Sequence, residues 1–497
     1  MPRLIIPFPT ELRPRLPTVM GNVDYLTLRQ RLEQIDELLR TSGLEDLFVV
    51  QSLEQWLPKG GKVSALQQQR FQLRSCRALR CNILRTLLQE DYRGFSCQLA
   101  GNPLYQWFCL TDAIDVVRVP SKSELQRFAH WLPPERMRGL MDGVLSQALE
   151  SPRKLRLKEP LDLAEYFLDT TCLKANIHFP TDWVLLRDAV RTLMKATLLI
   201  RREGLKGRME APEEFLRRVN RLSIEMTQQR RQKDSLRARK RVLRQMKRLV
   251  KVVQDHARRH RELLDKQWEQ TEWTRPQAEQ VLRRMDQILA SLPAAVKQAH
   301  ERIIGQRLMN NKEKILSLYE PEVRVIVRGK AGADVEFGNT VLIGENRQGI
   351  ILDYQMFREQ APADCGLLME SLMRVFEKLG RKVGAVTGDR GFFSAENSQA
   401  LSESETYNAL CPRRPTELKN EMRSGKFARL QRRRGQTEGR IGILKGGFLG
   451  RAIRAKGFDN REQALAWGIL THNLWMFARM LKRKRRKKRV ERLLQAA

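Results

Sequence analysis

Val383-Gly384-Ala385-Val386-Thr387-Gly388-Asp389-Arg390-Gly391-Phe392-Phe393 sets a short apolar run before a glycine and an acid. A run of roughly four to eight apolar residues bounded by turn residues reads as a buried strand. The strand covers Val383 to Thr387, so Asp389 sits where it runs out. A helix from Ala363 to Leu379 precedes it, and Tyr407 to Cys411 reads as another strand after it.

Working outward, Leu161-Asp162-Leu163-Ala164-Glu165-Tyr166-Phe167-Leu168-Asp169-Thr170-Thr171-Cys172-Leu173-Lys174 gathers β-formers from Tyr166 to Leu173. That predicts a strand with Asp169 near its middle. Asn339 to Gly344 and Gly349 to Met356 form a hairpin across Glu345-Asn346-Arg347-Gln348. The order is strand, hairpin, helix, strand, helix, strand, helix, which is an α/β pattern. The closing helix carries Arg434-Gly435-Gln436-Thr437-Glu438-Gly439-Arg440-Ile441-Gly442-Ile443-Leu444-Lys445. Steps of three, four and seven bring Arg434, Glu438, Ile441 and Lys445 near one face. Taken alone, this is also the pattern of a solvated helix with an i,i+4 ion pair, worth roughly a few tenths of a kcal/mol.

A length of 497 residues suggests roughly two to four structural units, and 41% hydrophobic residues supply their cores. The formal net charge of +35 favours nucleic acid, or less often an anionic membrane, as partner. No segment reaches the roughly 18 uninterrupted apolar residues of a membrane span. Met1-Pro2-Arg3-Leu4-Ile5-Ile6-Pro7 opens no secretory apolar region of adequate length. Seven cysteines without CxxC spacing, an odd count, argue against a disulfide framework. An intracellular, reduced protein facing DNA or RNA is expected.

Residues 1–155 read as a helical N-terminal domain for binding DNA ends. Its helices are Leu26 to Arg40 with a stop at Ser42-Gly43, Val63 to Leu88, one ended by Gly101-Asn102-Pro103, and one opened by Ser123. Short helices with Gly and Pro turns permit a helix-turn-helix reader, and equally a plain bundle. Residues 183–319 read as a basic all-α insertion, helical from Trp183 to Arg307. Pro212, Pro276 and Pro293 are each placed to start or break a helix there. Over 191–260, 22 Lys or Arg against 7 Asp or Glu leave +15. Val242, Met246, Leu249 and Val253 keep an apolar stripe, so one side packs while the other can face phosphates. A charged coiled-coil arm for self-association carries the same pattern. Residues 481–497 form a basic tail, and its run from Lys482 to Arg489 suits nonspecific DNA contact or, by composition, nuclear import.

Asp169, Asp389 and Glu438 fall on a strand, at a strand's end, and on the helix that closes the sheet. Each has an ordinary alternative: Asp169 can bond the Thr170 and Thr171 hydroxyls, and Asp389 can pair with Arg390. As an ordered set of oxygen ligands they suit Mg²⁺ or Mn²⁺. Two such ions roughly 3.5–4 Å apart activate an attacking oxygen and stabilise the leaving one in a displacement at phosphorus.

Leu168-Asp169-Thr170-Thr171, Thr387-Gly388-Asp389-Arg390-Gly391-Phe392 and the Arg434…Glu438…Lys445 segment resemble the three motifs of DDE transposases of bacterial insertion sequences. The catalytic domain of that family has a ribonuclease-H-like fold. One group shows Tyr, two residues, Arg, three residues, Glu, six residues, Lys around the last acid. Arg434, Glu438 and Lys445 match this spacing, and Gln431 stands in place of the tyrosine. Ala175-Asn176-Ile177-His178-Phe179-Pro180-Thr181-Asp182 resembles the stretch after the first acid, and Tyr92 to Cys109 resembles part of the helical N-terminal domain. The long separation of Asp169 from Asp389 is accounted for by the insertion.

The resemblance implies a ribonuclease-H-like DDE catalytic domain over 156–182 plus 320–480. It implies Asp169, Asp389 and Glu438 as catalytic metal ligands for two Mg²⁺ or Mn²⁺ ions. Arg434, Lys445 and Arg390 would contact DNA phosphates, and His178 would either contact DNA or serve the fold. The implied reaction cuts the element's ends and joins the 3′-hydroxyls to target DNA. Its partners are double-stranded DNA, as element ends and target, and a second copy of the chain in a homodimer on DNA. No membrane is involved, and the setting is a bacterial cytoplasm at the nucleoid. A structure-selective DNA nuclease of the same fold, or a noncatalytic transposase-derived DNA-binding protein, shares much of this pattern.

Two further features read as structural. His256 and His260, i,i+4 on a helix, have no third ligand nearby and read as basic-face histidines. The helix Arg461 to Met480, with Trp467, Trp475 and Phe477, reads as packing against the catalytic sheet.

Overall fold

The computed structural model describes residues 16–56, 64–111, 117–232, 235–330, 333–450 and 452–482. The chain's first residues and the basic run from 483 to 489 therefore lie outside the described residues. Seven described helices come first: α1 (Val23–Thr41), α2 (Leu44–Trp56), α3 (Ala65–Leu88), α4 (Tyr92–Gly101), α5 (Pro103–Cys109), α6 (Lys122–Ala129) and α7 (Pro134–Glu150). Their ends are set by side chains that satisfy orphan N–H groups. Ser64 and Gln67 form a capping box on α3, and Asn102, which ends α4, also caps α5. The cap of α6 is Ser121 rather than Ser123.

β1 (Tyr166–Lys174) follows, then α8 (Asp182–Arg202), α9 (Pro212–Arg230), α10 (Leu236–Gln267) and α11 (Arg275–Ala299). The remaining strands are β2 (Arg324–Lys330), β3 (Ala333–Asn346), β4 (Ile351–Met356), β5 (Ala385–Gly388) and β6 (Tyr407–Leu410). Among these lie α12 (Asp364–Leu379) and α13 (Ala395–Glu403), and after them α14 (Pro415–Glu421), α15 (Gly425–Leu444) and α16 (Phe458–Met480).

All six strands belong to one mixed sheet, with path β2-β3-β1-β5-β6 and β4 paired to β3. β3 runs antiparallel to β1 from Tyr166↔Asn346 to Lys174↔Gly338, while β1, β5 and β6 are parallel. β2 and β4 share the edge of β3 that faces away from β1, one after the other. The expected Asn339–Gly344 strand is thus the inner part of a longer one. β2 lies outside the strands expected from sequence: Val325 and Ile326 are both buried while Val327 is exposed, so its apolar residues run together rather than alternate. Gly344 serves a close approach: a Cβ there would strike the Tyr166 ring, whose hydroxyl lies 2.8 Å from Ser371 Oγ on α12.

Two cores organise the chain. The larger is continuous from the N-terminal helices to the sheet and includes Leu38, Phe48, Leu84, Phe108, Leu168, Leu342, Val386 and Trp467. Burial of apolar area at about 25 cal/mol per Å² makes such a shared core a cohesive unit. The second lies within α8 to α11 and includes Leu186, Leu193, Val219, Met246, Val253, Ile288 and Leu292.

Three expectations need correction. Pro293 neither starts nor breaks a helix, because it sits exposed inside α11. Leu292 and Ala295 beside it are buried, and their packing offsets a defect that costs about 3 kcal/mol in an isolated helix. His260 is not on a basic face but 1% exposed, and its Nδ1 lies 2.8 Å from His256 O. Burial lowers its pKa and keeps it neutral. Trp467 of α16 turns toward the N-terminal helices, donating Nε1–H to Ala129 O at 2.9 Å and contacting Phe48. The sheet is met instead by Asn473, which bonds both Ile351 N and Ile351 O.

Candidate active site

Register brings the first two acids level. Tyr166 and Phe167 pair in parallel with Val386 and Thr387. Asp169 lies two residues past Phe167 and Asp389 just past the end of β5, near enough for the Asp389 charge to raise the Asp169 carboxyl. β5 ends at Gly388, and the chain turns at once: Asp389 Oδ1 accepts the Gly391 N–H at 2.8 Å. Gly391 is required by crowding, since a Cβ there would lie 2.7 Å from Asp364 Oδ2 and 3.0 Å from Asp389 Oδ1. Asp364, at the start of α12, is therefore a further carboxylate beside the site. Nothing in its sequence context marked it.

The third acid comes from α15. Glu438 is exposed (51% for its side chain), and its Oε1 lies 3.9 Å from Arg434 Nη1. Asp169 registers all of these neighbours. Burial first, then the charges of Asp389 and Glu438, push its carboxyl up to about 6, while Arg434 pulls it back down. The charges of Asp389 and Glu438 therefore both reach the Asp169 carboxyl. The three acids are not closed into a ligand cage: among the described residues, no group of three or more His, Cys, Asp or Glu is arranged to hold a metal ion. Their donor chemistry fits a hard cation, because every donor is a carboxylate oxygen.

The rotation of α15 is fixed from behind. Glu345 on β3, 3% exposed, accepts from Arg433 Nη2 at 3.2 Å and Thr437 Oγ1 at 2.8 Å, with Arg440 Nη1 at 3.7 Å. Arg433 and Thr437 directly precede Arg434 and Glu438, so this clamp sets which way the latter pair faces. Gln431 has a defined place as well. Its Nε2 donates to Ala409 O at 2.6 Å and Gly388 O at 3.4 Å, tying α15 to the ends of β6 and β5. An amide can make this bridge between carbonyls through its two N–H donors, whereas a phenol has one.

Lys445 opens a π-helical turn, Lys445–Leu449, and its Nζ reaches Thr171 Oγ1 at 3.2 Å. Thr171 lies two residues beyond Asp169, on the same face of β1. Arg434 Nε is shielded from solvent with no hydrogen-bond partner. The structure thus gathers Asp169, Asp389, Glu438, Arg434 and Lys445 around the β1–β5 seam. Arg390 is exposed beside Asp389, and His178 is exposed in the segment after β1, outside this group of contacts.

No family model, no curated protein and no solved structure matches this chain. Among the described residues, no helix is long and apolar enough to cross a membrane. What can be said of the chemistry rests on the chain's own residues.

Proposed function

We propose that this chain is a DNA transposase of the DDE type, with a ribonuclease-H-like catalytic domain. The observation that carries the reading is the raised carboxyl of Asp169, lifted by burial and then by the charges of Asp389 and Glu438, the three acids coming from β1, the end of β5 and α15. The mixed sheet is compatible with that fold, since a central β1 lies between an antiparallel β3 and a parallel β5.

Asp169, Asp389 and Glu438 would hold two Mg²⁺ or Mn²⁺ ions, which when bound supply charge neutralisation and nucleophile activation at phosphorus. The chain's own residues do the rest. Arg434 and Lys445 offset negative charge on a phosphate placed over the β1–β5 seam. Glu345, through Arg433 and Thr437, keeps Arg434 and Glu438 on the correct side of α15. Arg390 sits where it can meet a DNA backbone. Element ends and target DNA are the proposed substrates, a homodimer the proposed assembly, and a bacterial cytoplasm the proposed setting.

The open arrangement of the acids favours one competitor, a noncatalytic DNA-binding descendant of such an enzyme. A strand-transfer assay with DNA ends from the flanks of the encoding gene separates the readings. Joined products that vanish in Asp169→Asn, Asp389→Asn and Glu438→Gln support the proposal. Cleavage without joining makes the chain a nuclease, and duplex binding without either reaction makes it a binder.

A further inference from the structure

Beyond Asp169 the chain leaves the sheet at Lys174 and enters α8 at Asp182. There it borders a cavity of about 160 Å³ whose lining includes Asp182, Trp183, Arg230, Arg239 and Arg302. That is roughly ten times the space one water needs. The three arginines come from the end of α9, the start of α10 and the turn after α11, so three separate elements direct guanidinium groups to one place.

Charge within the cavity is unbalanced. Asp182, 5% exposed, is the acid in its lining, and its Oδ1 is committed to Arg302 Nη1 at 2.9 Å and Gln298 Nε2 at 2.9 Å. Arg230 lies over the Trp183 ring at 5.7 Å, and Arg239 Nε is shielded from water with no hydrogen-bond partner. Among the described residues, neither Arg230 nor Arg239 has a carboxylate partner. Arg230 and Arg302 are exposed and Arg239 is half-buried, so an entering anion would meet three guanidinium groups against one carboxylate. The N-terminus of α8 adds partial positive charge at the same rim. Planar forks of N–H donors match the oxygens of a phosphoryl group better than point charges do.

We infer that this cavity is a phosphate-binding site, separate from the acidic cluster, that grips a phosphodiester of the DNA substrate where the chain passes from sheet to helical block. The inference rests on the proposed action on DNA. Free phosphate or pyrophosphate has the same chemistry and is the other source.

The test uses the full chain and the double variant Arg230→Lys/Arg239→Lys, which keeps both charges and removes both forks. Two readouts are taken: anisotropy of a short labelled duplex over a salt series, and thermal stabilisation by sodium pyrophosphate. A roughly tenfold loss of duplex affinity in the variant supports the site with DNA as its source. Unchanged duplex affinity with loss of the pyrophosphate effect supports the site with a free anion as its source. A variant that matches the wild type in both readouts overturns the inference, because general positive charge then explains everything. A wild-type chain that binds no duplex defeats the DNA reading alone, and the pyrophosphate arm still decides the cavity.

Discussion

Asp169→Asn should make the protein more stable in EDTA while abolishing the proposed metal-dependent chemistry. Asp169 is lifted from 3.8 to about 6, mainly by burial and then by Asp389 and Glu438. At pH 7.5 the native state holds it charged at a cost of about 3 kcal/mol relative to the unfolded chain. The sign follows from the raised value: stability is greatest below the unfolded pKa and is lost as pH rises through the folded one. Asparagine keeps the shape and removes the charge, so the variant should gain about 3 kcal/mol at pH 7.5 and about 1.6 kcal/mol at pH 5. The assay is urea unfolding in EDTA at both pH values, with the difference between variant and wild type as the readout. Taking the difference removes every other titrating group common to both proteins. A variant no more stable than wild type at pH 7.5, or a gain independent of pH, would refute the placement of Asp169 among like charges. Adding Mg²⁺ should stabilise the wild type and shrink the gap.

Three further outcomes follow from the same geometry. Glu438→Gln, at an exposed position on α15, should change stability by less than about 0.5 kcal/mol and leave duplex affinity unaltered, yet eliminate metal-dependent cleavage in a gel assay. Gln431→Ala removes the bridge to Ala409 O and Gly388 O, so it should cost about 1–2 kcal/mol and raise amide exchange along α15. His472, buried against Phe448, is pushed down to about 4 by desolvation. Its stabilising effect is lost as pH falls from 6.5 through that value, about 2.5 kcal/mol by pH 4.5, and His472→Gln should flatten that part of the urea-midpoint profile.

The sheet's central strands were legible because they are short apolar runs with acids at telling places. β1 and β5 emerge from Tyr166–Leu173 and Val383–Thr387 within a residue or two. β2 is not legible because Val325-Ile326-Val327, between Arg324 and Arg328, is only three apolar residues, shorter than the roughly four to eight that read as a buried strand. The ordered acids were legible as a set, but their supports were not. Glu345 sits in what reads as a hairpin turn, and only folding shows it buried beneath Arg433, Thr437 and Arg440. Asp364 looks like any helix-opening acid, and Gln431 looks like a missing tyrosine until its amide is seen between two strand ends. Such partnerships join residues 22 to 95 positions apart, beyond any local pattern. The cavity at α8 was equally hidden, since its arginines are dispersed among many.

The open state of the acidic cluster and its proposed role are energetically consistent. With no cation present, closing Glu438 onto Asp169 and Asp389 would bring a third negative charge to a carboxyl already raised to about 6. Glu438 is instead exposed, with its Oε1 3.9 Å from Arg434 Nη1. The helix beneath it is not what must move, because the Glu345 clamp and the Gln431 bridge hold α15 against β3, β5 and β6. Assembly then needs a change of side-chain rotamer, which costs about 1–2 kcal/mol in lost freedom for a glutamate. Relief of the strain on Asp169 is worth about 3 kcal/mol, so a divalent cation that neutralises the cluster more than offsets that ordering. Asp169, Asp389 and Glu438 would then hold a divalent cation after a change of the Glu438 rotamer alone, with α15 left in place. Amide exchange in α15 should then be unchanged by Mg²⁺, while the Glu438 side chain loses its exposure to carboxyl-modifying reagents. Altered exchange throughout α15 on adding Mg²⁺ would show that the clamp does not set the helix in advance.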